Sequence, residues 1–133
     1  MPSQGQSLRL FVRHRKSGEI SPNVDFWVAK ELECKLNEKS SYYKLADRVQ
    51  NSKNKLVDIL KDLKNQNKKI AAYGAPAKGN TLLNYCKIGP DILSYALEDL
   101  PSKQGLYTPG MHVPVVTREY ASLSSPDYYL LLA

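Results

Sequence analysis

The amino-acid sequence predicts an α/β fold in three layers, built on a mostly parallel sheet. Residues 42–67 place apolar side chains at helical spacing without an internal glycine or proline, which predicts one long amphipathic helix. The apolar run 70–73 ends at Gly74 and leads into a second helical pattern, after which residues 92–97 form another apolar run. Strand, helix and strand in this order are typical of the βαβ unit, whose strands lie parallel. The predicted fold is therefore a Rossmann-like three-layer sandwich with one long covering helix.

Length and composition indicate one domain with its own core. The chain has 133 residues, of which 42% are hydrophobic, and this predicts a single domain over residues 7–133 after a flexible stretch at residues 1–6. The net charge is +6, but residues 1–69 hold 15 Lys and Arg against 8 Asp and Glu, whereas residues 70–133 hold 4 against 5. The basic excess lies away from Gly74, and few aromatic residues interleave with it, which disfavours nucleic-acid binding.

The cysteine content argues against a metal-binding protein, and the hydropathy argues against a membrane protein. Cys34 and Cys86 are far apart and no C-x-x-C motif occurs, so we expect two buried or half-buried free thiols and no metal site. No apolar run reaches the length of a membrane span, and the N-terminus lacks the plan of a signal peptide. We therefore expect a cytoplasmic protein without a membrane partner.

Two shorter elements are predicted before the long helix. Residues 7–14 alternate apolar and polar side chains, which predicts an edge strand. After a loop, residues 24–36 have the apolar spacing of a short helix that Ser21 or Asn23 could cap. Both elements lie in the basic part of the chain, outside the predicted βαβ unit.

The turn between the first core strand and its helix has the composition of an anion site. The first N–H groups of a helix have no partner within it, and the helix dipole adds positive potential there. Gly74 and Gly79 allow backbone to approach a ligand closely, while Lys78 adds a positive charge. The spacing matches neither a dinucleotide fingerprint nor a P-loop, so a plain strand-to-helix turn stays an open alternative. The predicted phosphate-binding residues are Gly74, Ala75, Pro76, Ala77, Lys78, Gly79, Asn80 and Thr81.

The second core strand ends in two carboxylates, Glu98 and Asp99. Ligands of parallel sheets bind beyond the carboxyl ends of the strands, where a carboxylate about 20 residues after a glycine turn often accepts a hydrogen bond from a ribose or sugar hydroxyl. These carboxylates are therefore candidates for ligand contact. A pair of solvated loop residues is the alternative.

A turn-rich loop at residues 101–114 is too long to be a mere connector. No Ser, Cys or carboxylate near His112 completes a catalytic triad, so we assign no catalytic residue to this chain. Short strands at residues 113–116 and 128–132, with a turn at residues 122–126 between them, complete the predicted elements. The polar candidates for ligand contact in the loop are Lys103, Gln104, Tyr107, Thr108 and His112.

Four stretches of this sequence resemble one known family. They are YGAPAKGNTLLNY at residues 73–85, KQGLYTPGMHVPV at residues 103–115, SLRLFV near the start and PDYYLLLA at the end. Over nearly its whole length the chain looks like the C-terminal domain of the sugar-nucleotide C-methyltransferases, which depend on S-adenosylmethionine. The resemblance implies a Rossmann-like module that helps to hold a deoxysugar linked to a nucleoside diphosphate, while methyl transfer takes place against a central domain.

The resemblance also implies which residues bind substrate. Glu98 matches an acidic residue at the end of the next core strand of the family. The residues that match the first loop of the family are Gly74, Ala75, Lys78, Gly79, Asn80 and Thr81. The residues that match the second loop of the family are Lys103, Gln104, Gly105, Thr108, Pro109, Gly110 and His112.

In that family a zinc-binding N-terminal segment and a central S-adenosylmethionine-binding domain precede this module. We therefore expect a fragment of a longer protein that binds neither zinc nor S-adenosylmethionine itself and is inactive alone. Its expected partners are a nucleoside-diphosphate sugar and the S-adenosylmethionine-binding domain, and apolar surface left bare without that domain would favour weak homodimers. A free-standing, non-catalytic nucleotide-binding or regulatory module is the alternative function.

Overall fold

The computed structural model describes residues 9–14 and 17–132. Its helices are α1 (Pro22–Glu33), α2 (Lys39–Asn65), α3 (Ala77–Cys86) and α4 (Arg118–Leu123), and a 3₁₀ turn spans Pro101–Lys103. Its strands are β1 (Ile70–Tyr73), β2 (Leu93–Leu97), β3 (Val115–Val116) and β4 (Tyr128–Leu131). The chain divides into two compact units, Met1–Lys44 and Leu45–Ala133, with the boundary inside α2.

Helix α1 belongs to the first unit. The Ser21 side chain accepts a hydrogen bond from the Asn23 N–H at 3.4 Å, which is the usual way in which a serine caps a helix. No residue of α1 is buried. Phe26 and Trp27 pack edge to face with their ring centroids 5.5 Å apart, and the Lys30 Nζ lies 5.2 Å from the Trp27 ring centroid. The predicted short helix is confirmed, with both ends shifted toward the N-terminus.

The second unit is built on a four-stranded parallel sheet in the order β3-β2-β1-β4. β1 pairs with β4 from Ile70 opposite Tyr128 to Tyr73 opposite Leu131. On its other side β1 pairs with β2, with one irregularity in register after Ile70. The chain passes from β1 to β2 through α3, so the predicted βαβ unit is present.

Alternate residues of β1 face two separate cores. Ile70 and Ala72 pack in a cluster that includes Leu60 of α2 and Leu83 of α3. Ala71 points to the opposite face, because successive side chains of a strand alternate. The second cluster contains residues of β2 and α4 as well, namely Tyr95, Leu97 and Ala121. Helices α2 and α3 thus form one outer layer and α4 the other, which confirms the predicted three-layer α/β fold with its long covering helix.

The long helix α2 covers the sheet through one apolar stripe. Leu56, Leu60 and Leu63 follow one another at spacings of four and three, so they lie on one side of the helix and meet the core. Burial of Leu60 contributes roughly 2 kcal/mol of transfer free energy. The prediction from periodicity is therefore confirmed, with the helix beginning and ending a few residues earlier than predicted.

The predicted edge strand at residues 7–14 is wrong. Residues 9–14 have no regular secondary structure, and the side chains of Leu10, Phe11 and Val12 are exposed; residues 7 and 8 lie outside the described part of the chain. A strand needs a neighbour that pairs with its N–H and C=O groups. None of β1 to β4 pairs with residues 9–14, so the alternating pattern alone does not make a strand.

The sequence pattern does not predict α4, where we expect only a turn at residues 122–126. The Thr117 side chain caps this helix by accepting a hydrogen bond from the Tyr120 N–H at 3.3 Å. At its far end the Tyr95 hydroxyl donates to the Ser124 carbonyl at 3.0 Å, and Ala121 is buried between these points. A helix of six residues is too short to show a period, and contacts with the sheet hold it in place.

The cysteine prediction has two outcomes. Cys86 is a buried free thiol, as predicted, but Cys34 is exposed, because it follows a helix that buries no residue. Across residues 9–14 and 17–132, no helix combines the length and the apolar character needed to cross a membrane.

Candidate ligand site at the carboxyl edge of the sheet

The strand order creates a switch in chain direction beside β1. From β1 the chain moves through α3 to β2 and β3 on one side, and β4 then lies on the other side of β1. In open parallel sheets a crevice forms at such a point, outside the carboxyl ends of the two strands, and ligands bind there. Here those ends are Tyr73 and Leu131, which are partners in register.

Gly74 starts the turn that follows β1. Its φ of +86° lies in the left-handed region that side chains disfavour, and its N–H donates to the Leu97 carbonyl at 2.7 Å. Pro76 is the N-cap of α3 and makes no side-chain hydrogen bond to the helix. The dipole of this ten-residue helix therefore points its positive end at the carboxyl edge, with no side-chain acceptor at the N-cap.

Gly79 lies where the packing leaves little room for a side chain. It is buried, and a Cβ at this position would lie 3.0 Å from the Leu132 Cβ and 3.2 Å from the Pro76 Cδ. The first turn of α3 therefore rests against the residue that follows β4. This contact holds the start of the helix beside the switch point.

The other polar residues of the first loop differ in their surroundings. Ala77 and Lys78 are exposed at the start of α3. The Thr81 hydroxyl donates to the Ala77 carbonyl at 3.4 Å, within the helix. The Asn80 Oδ1 is buried and accepts no hydrogen bond from any described residue. Buried acceptors are normally satisfied, so this oxygen is a place where a donor would lower the free energy.

Glu98 connects the end of β2 to the turn after β1. Its Oε2 accepts a hydrogen bond from the Ala75 N–H at 3.0 Å, and its Oε1 accepts one from the Leu100 N–H at 3.1 Å. Burial by itself would raise the pKa of Glu98. These backbone donors and the nearby Lys103 ammonium outweigh the burial, so the pKa lies below its ordinary value and the group is a carboxylate at neutral pH.

Two residues of the second loop are held at the same place. The Lys103 Nζ lies 3.3 Å from the Glu98 Oε2 and donates to the Ala75 carbonyl at 3.0 Å. The Gln104 side-chain amide donates to the Glu98 carbonyl at 2.8 Å. Four predicted site residues from three segments are therefore brought together around one turn.

The rest of the second loop is attached to α3 through Asn84, which is not among the predicted site residues. Its Nδ2 donates to the Pro109 carbonyl and to the Asn80 carbonyl, at 2.8 Å each. Gly110 leaves the space for this side chain, because a Cβ there would lie 1.9 Å from the Asn84 Oδ1. The available signal is the amide itself, placed four residues after Asn80 on the same side of a helix.

The remaining loop candidates divide into buried and exposed residues. Thr108 is buried, and its Oγ1 accepts a hydrogen bond from the Val113 N–H at 2.9 Å, so its hydroxyl oxygen is engaged inside the loop. Tyr107 is exposed, and so is His112, which has a left-handed φ of +55°. The loop therefore presents an aromatic ring and an imidazole to solvent.

A second concave region lies between α2 and α3 and shares no residue with the predicted site. This apolar groove has a volume of 520 Å³ and contains two basic side chains, Arg48 and Lys53. Burial raises the pKa of the Cys86 thiol at its base, and Lys53 offsets only part of this effect. No pattern in the sequence predicts the groove. Its apolar lining is formed by Leu45, Val49, Leu56, Leu82, Tyr85 and Cys86.

Comparison with known proteins identifies the family. A family model described as the C-methyltransferase C-terminal domain matches residues 2–133. This chain belongs to that family. The C-methyltransferase NovU of Streptomyces niveus is 33% identical to this C-methyltransferase C-terminal domain over 115 residues, which are 86% of the chain. The match covers 27% of NovU, so the domain spans about a quarter of that relative's length.

Proposed function

We propose that this chain is the substrate-binding domain of an S-adenosylmethionine-dependent sugar C-methyltransferase, and that it binds a nucleoside-diphosphate sugar. S-adenosylmethionine, bound by a domain outside this chain, would supply an electrophilic methyl group for a carbon of the sugar. The part of this chain is to bind and orient the substrate. Its membership of the C-methyltransferase C-terminal domain family supports this role, as does the full-length C-methyltransferase among its relatives.

The observation that carries the proposal is the start of α3 at the switch point. A pyrophosphate brings negative charge and many acceptor oxygens, which suit the backbone donors and dipole of a helix N-terminus. Pro76 puts no side-chain acceptor in competition with such a ligand, and Lys78 stands on the same first turn. We therefore assign the diphosphate to residues 74–81.

The second loop is the proposed contact for the sugar or the base. Tyr107 and His112 are exposed on it, and both can hydrogen-bond or stack on a ring. Asn84 fixes this loop to α3, the helix to which the diphosphate is assigned. One ligand could then contact both loops.

The metal expected from the resemblance is assigned to the region upstream of this domain. No three His, Cys, Asp or Glu side chains among the described residues are grouped so that they could hold a metal ion. Following the resemblance to the family, we assign the zinc site and the S-adenosylmethionine site of the proposed enzyme to other parts of the longer protein.

Calorimetric titration of the purified chain tests the proposed function. We expect uridine or thymidine diphosphate and their sugars to bind, and S-adenosylmethionine and NAD to give no signal. Lys78→Ala should weaken nucleotide binding about tenfold, as expected for loss of one charge-assisted contact. Lys61→Ala is the matched control, since this exposed lysine lies on α2.

Two results would contradict the proposal. The first is equal weakening by both lysine variants together with a steep loss of affinity in salt, which indicates a general polyanion surface. The second is binding of S-adenosylmethionine, which would assign the methyl donor to this chain.

A further inference from the structure

The backbone of Ala75 is held at both of its polar groups by one ion pair. Glu98 accepts the Ala75 N–H at 3.0 Å, while Lys103 donates to the Ala75 carbonyl at 3.0 Å. The two side chains also contact each other at 3.3 Å. Ala75 lies in the turn between β1 and α3, so this arrangement joins that turn to the end of β2 and to the 3₁₀ turn.

The Glu98 carboxylate has little capacity left for a ligand. It already accepts hydrogen bonds from two backbone N–H groups and one ammonium group, and its side chain is only 15% exposed. One acceptor position remains, on Oε1, and it belongs to a largely buried side chain; at any other position a sugar or ribose hydroxyl would have to displace one of these donors. Displacement would leave a backbone N–H or a lysine ammonium without its acceptor, which costs more than the new hydrogen bond returns.

We infer that Glu98 and Lys103 are positioning residues and do not contact the substrate. Together they fix the Ala75 peptide groups, and these set the direction in which the first turn of α3 presents its N–H groups. The inference rests on the proposed function, since it requires the start of α3 to bind the diphosphate. It replaces the expectation that Glu98 accepts a hydrogen bond from a ribose or sugar hydroxyl.

The test compares two ligands that differ by one hydroxyl, uridine diphosphate glucose and its 2′-deoxyuridine counterpart. Both are titrated into wild type, Glu98→Gln, Lys103→Met and the double variant. Asp62→Asn and Lys61→Met make the same charge changes on the exposed surface of α2 and serve as controls. Amide hydrogen exchange at Ala75, measured by NMR without ligand, shows directly whether the turn has loosened.

If the two residues have a positioning role, each single variant should lower the affinity for both ligands by the same factor, about tenfold. The double variant should lower each affinity by less than the product of the two single effects. Exchange at Ala75 should become faster in each variant, and the controls should change neither quantity. Lys103→Met removes the other half of the pair, so it provides an independent arm if Glu98→Gln fails to fold.

Three results would overturn the inference. Loss confined to the ligand with the 2′-hydroxyl would show that Glu98 contacts the ribose. Wild-type affinity in both Glu98→Gln and Lys103→Met would show that ligand binding does not depend on the ion pair at Ala75. The proposed function would be unaffected by that result. Failure of the wild type to bind either ligand would remove the proposed function, and this inference with it.

Discussion

Helices α3 and α4 both begin just after a parallel strand at the same edge of the sheet, but their first turns differ. At α4 the Thr117 side chain accepts the Tyr120 N–H, and Glu119 places a negative charge in the first turn. At α3 the N-cap is Pro76, which gives no side-chain hydrogen bond, and the first turn has no acidic residue. At the start of α4, side chains of the chain itself therefore supply the hydrogen-bond acceptor and the negative charge that a helix N-terminus favours. At the start of α3, an anion from outside the chain can supply them.

Giving α3 the kind of cap that α4 has should produce the largest effect. In Pro76→Asp a carboxylate would occupy an N-cap position whose ψ of 159° already suits a capping residue. We expect nucleotide affinity to fall at least about tenfold, because the new charge takes the place of the ligand phosphate, while stability rises by about 1 kcal/mol. Calorimetry and urea unfolding measure the two changes.

Pro76→Ala is the control for Pro76→Asp, since it removes the proline ring without adding an acceptor. It should give neither the gain in stability nor the large loss of affinity. If Pro76→Asp binds nucleotide as tightly as the wild type, the diphosphate does not lie at the start of α3.

Removing the cap of α4 should have a smaller and purely structural effect. Thr117→Ala leaves the Tyr120 N–H without its side-chain acceptor, so the free energy of unfolding should fall by about 1 kcal/mol. Nucleotide affinity should not change. Thr117→Ser keeps the hydroxyl and should behave like the wild type in urea unfolding. A change of nucleotide affinity in Thr117→Ala would mean that the starts of both helices contribute to ligand binding.

The smallest expected effect is a dependence of stability on pH through Glu98. Its pKa in the folded chain lies below its ordinary value of 4.5, so the folded state holds the proton less tightly than the unfolded state. The resulting stabilisation is present above the ordinary pKa and is lost as the pH falls through the folded value. Urea midpoints from about pH 6 to about pH 3 should therefore fall less steeply in Glu98→Gln than in the wild type.

Much of the fold follows from the sequence because its signals are local. The stripe on α2 is a periodic pattern and β1 is a short continuous apolar run, and both signals hold wherever the elements pack. The segment at residues 9–14 fails for the same reason, since its alternation says nothing about a pairing partner. Helix α4 is missed because its position depends on the contacts of Ala121 and Ser124 with the sheet, and these are remote in sequence.

The candidate site divides in the same way. Gly74 and the start of α3 can be predicted from the chemistry of a turn. The hydrogen-bond partners of Glu98 and Thr108 cannot be predicted, because the sequence does not show whether a polar side chain faces a ligand or a backbone N–H. In the structure each accepts a hydrogen bond from a backbone N–H, that of Ala75 for Glu98 and that of Val113 for Thr108.

The single tryptophan and a packed pair of tyrosines give the two units of the molecule separate optical reporters. Trp27 lies on α1, in the unit Met1–Lys44, whereas the proposed ligand residues all lie in the unit Leu45–Ala133. The second unit carries the buried Tyr95, which packs edge to face with Tyr120. Emission excited in the tryptophan band therefore originates in the first unit, and the near-ultraviolet dichroism of these two tyrosines originates in the second.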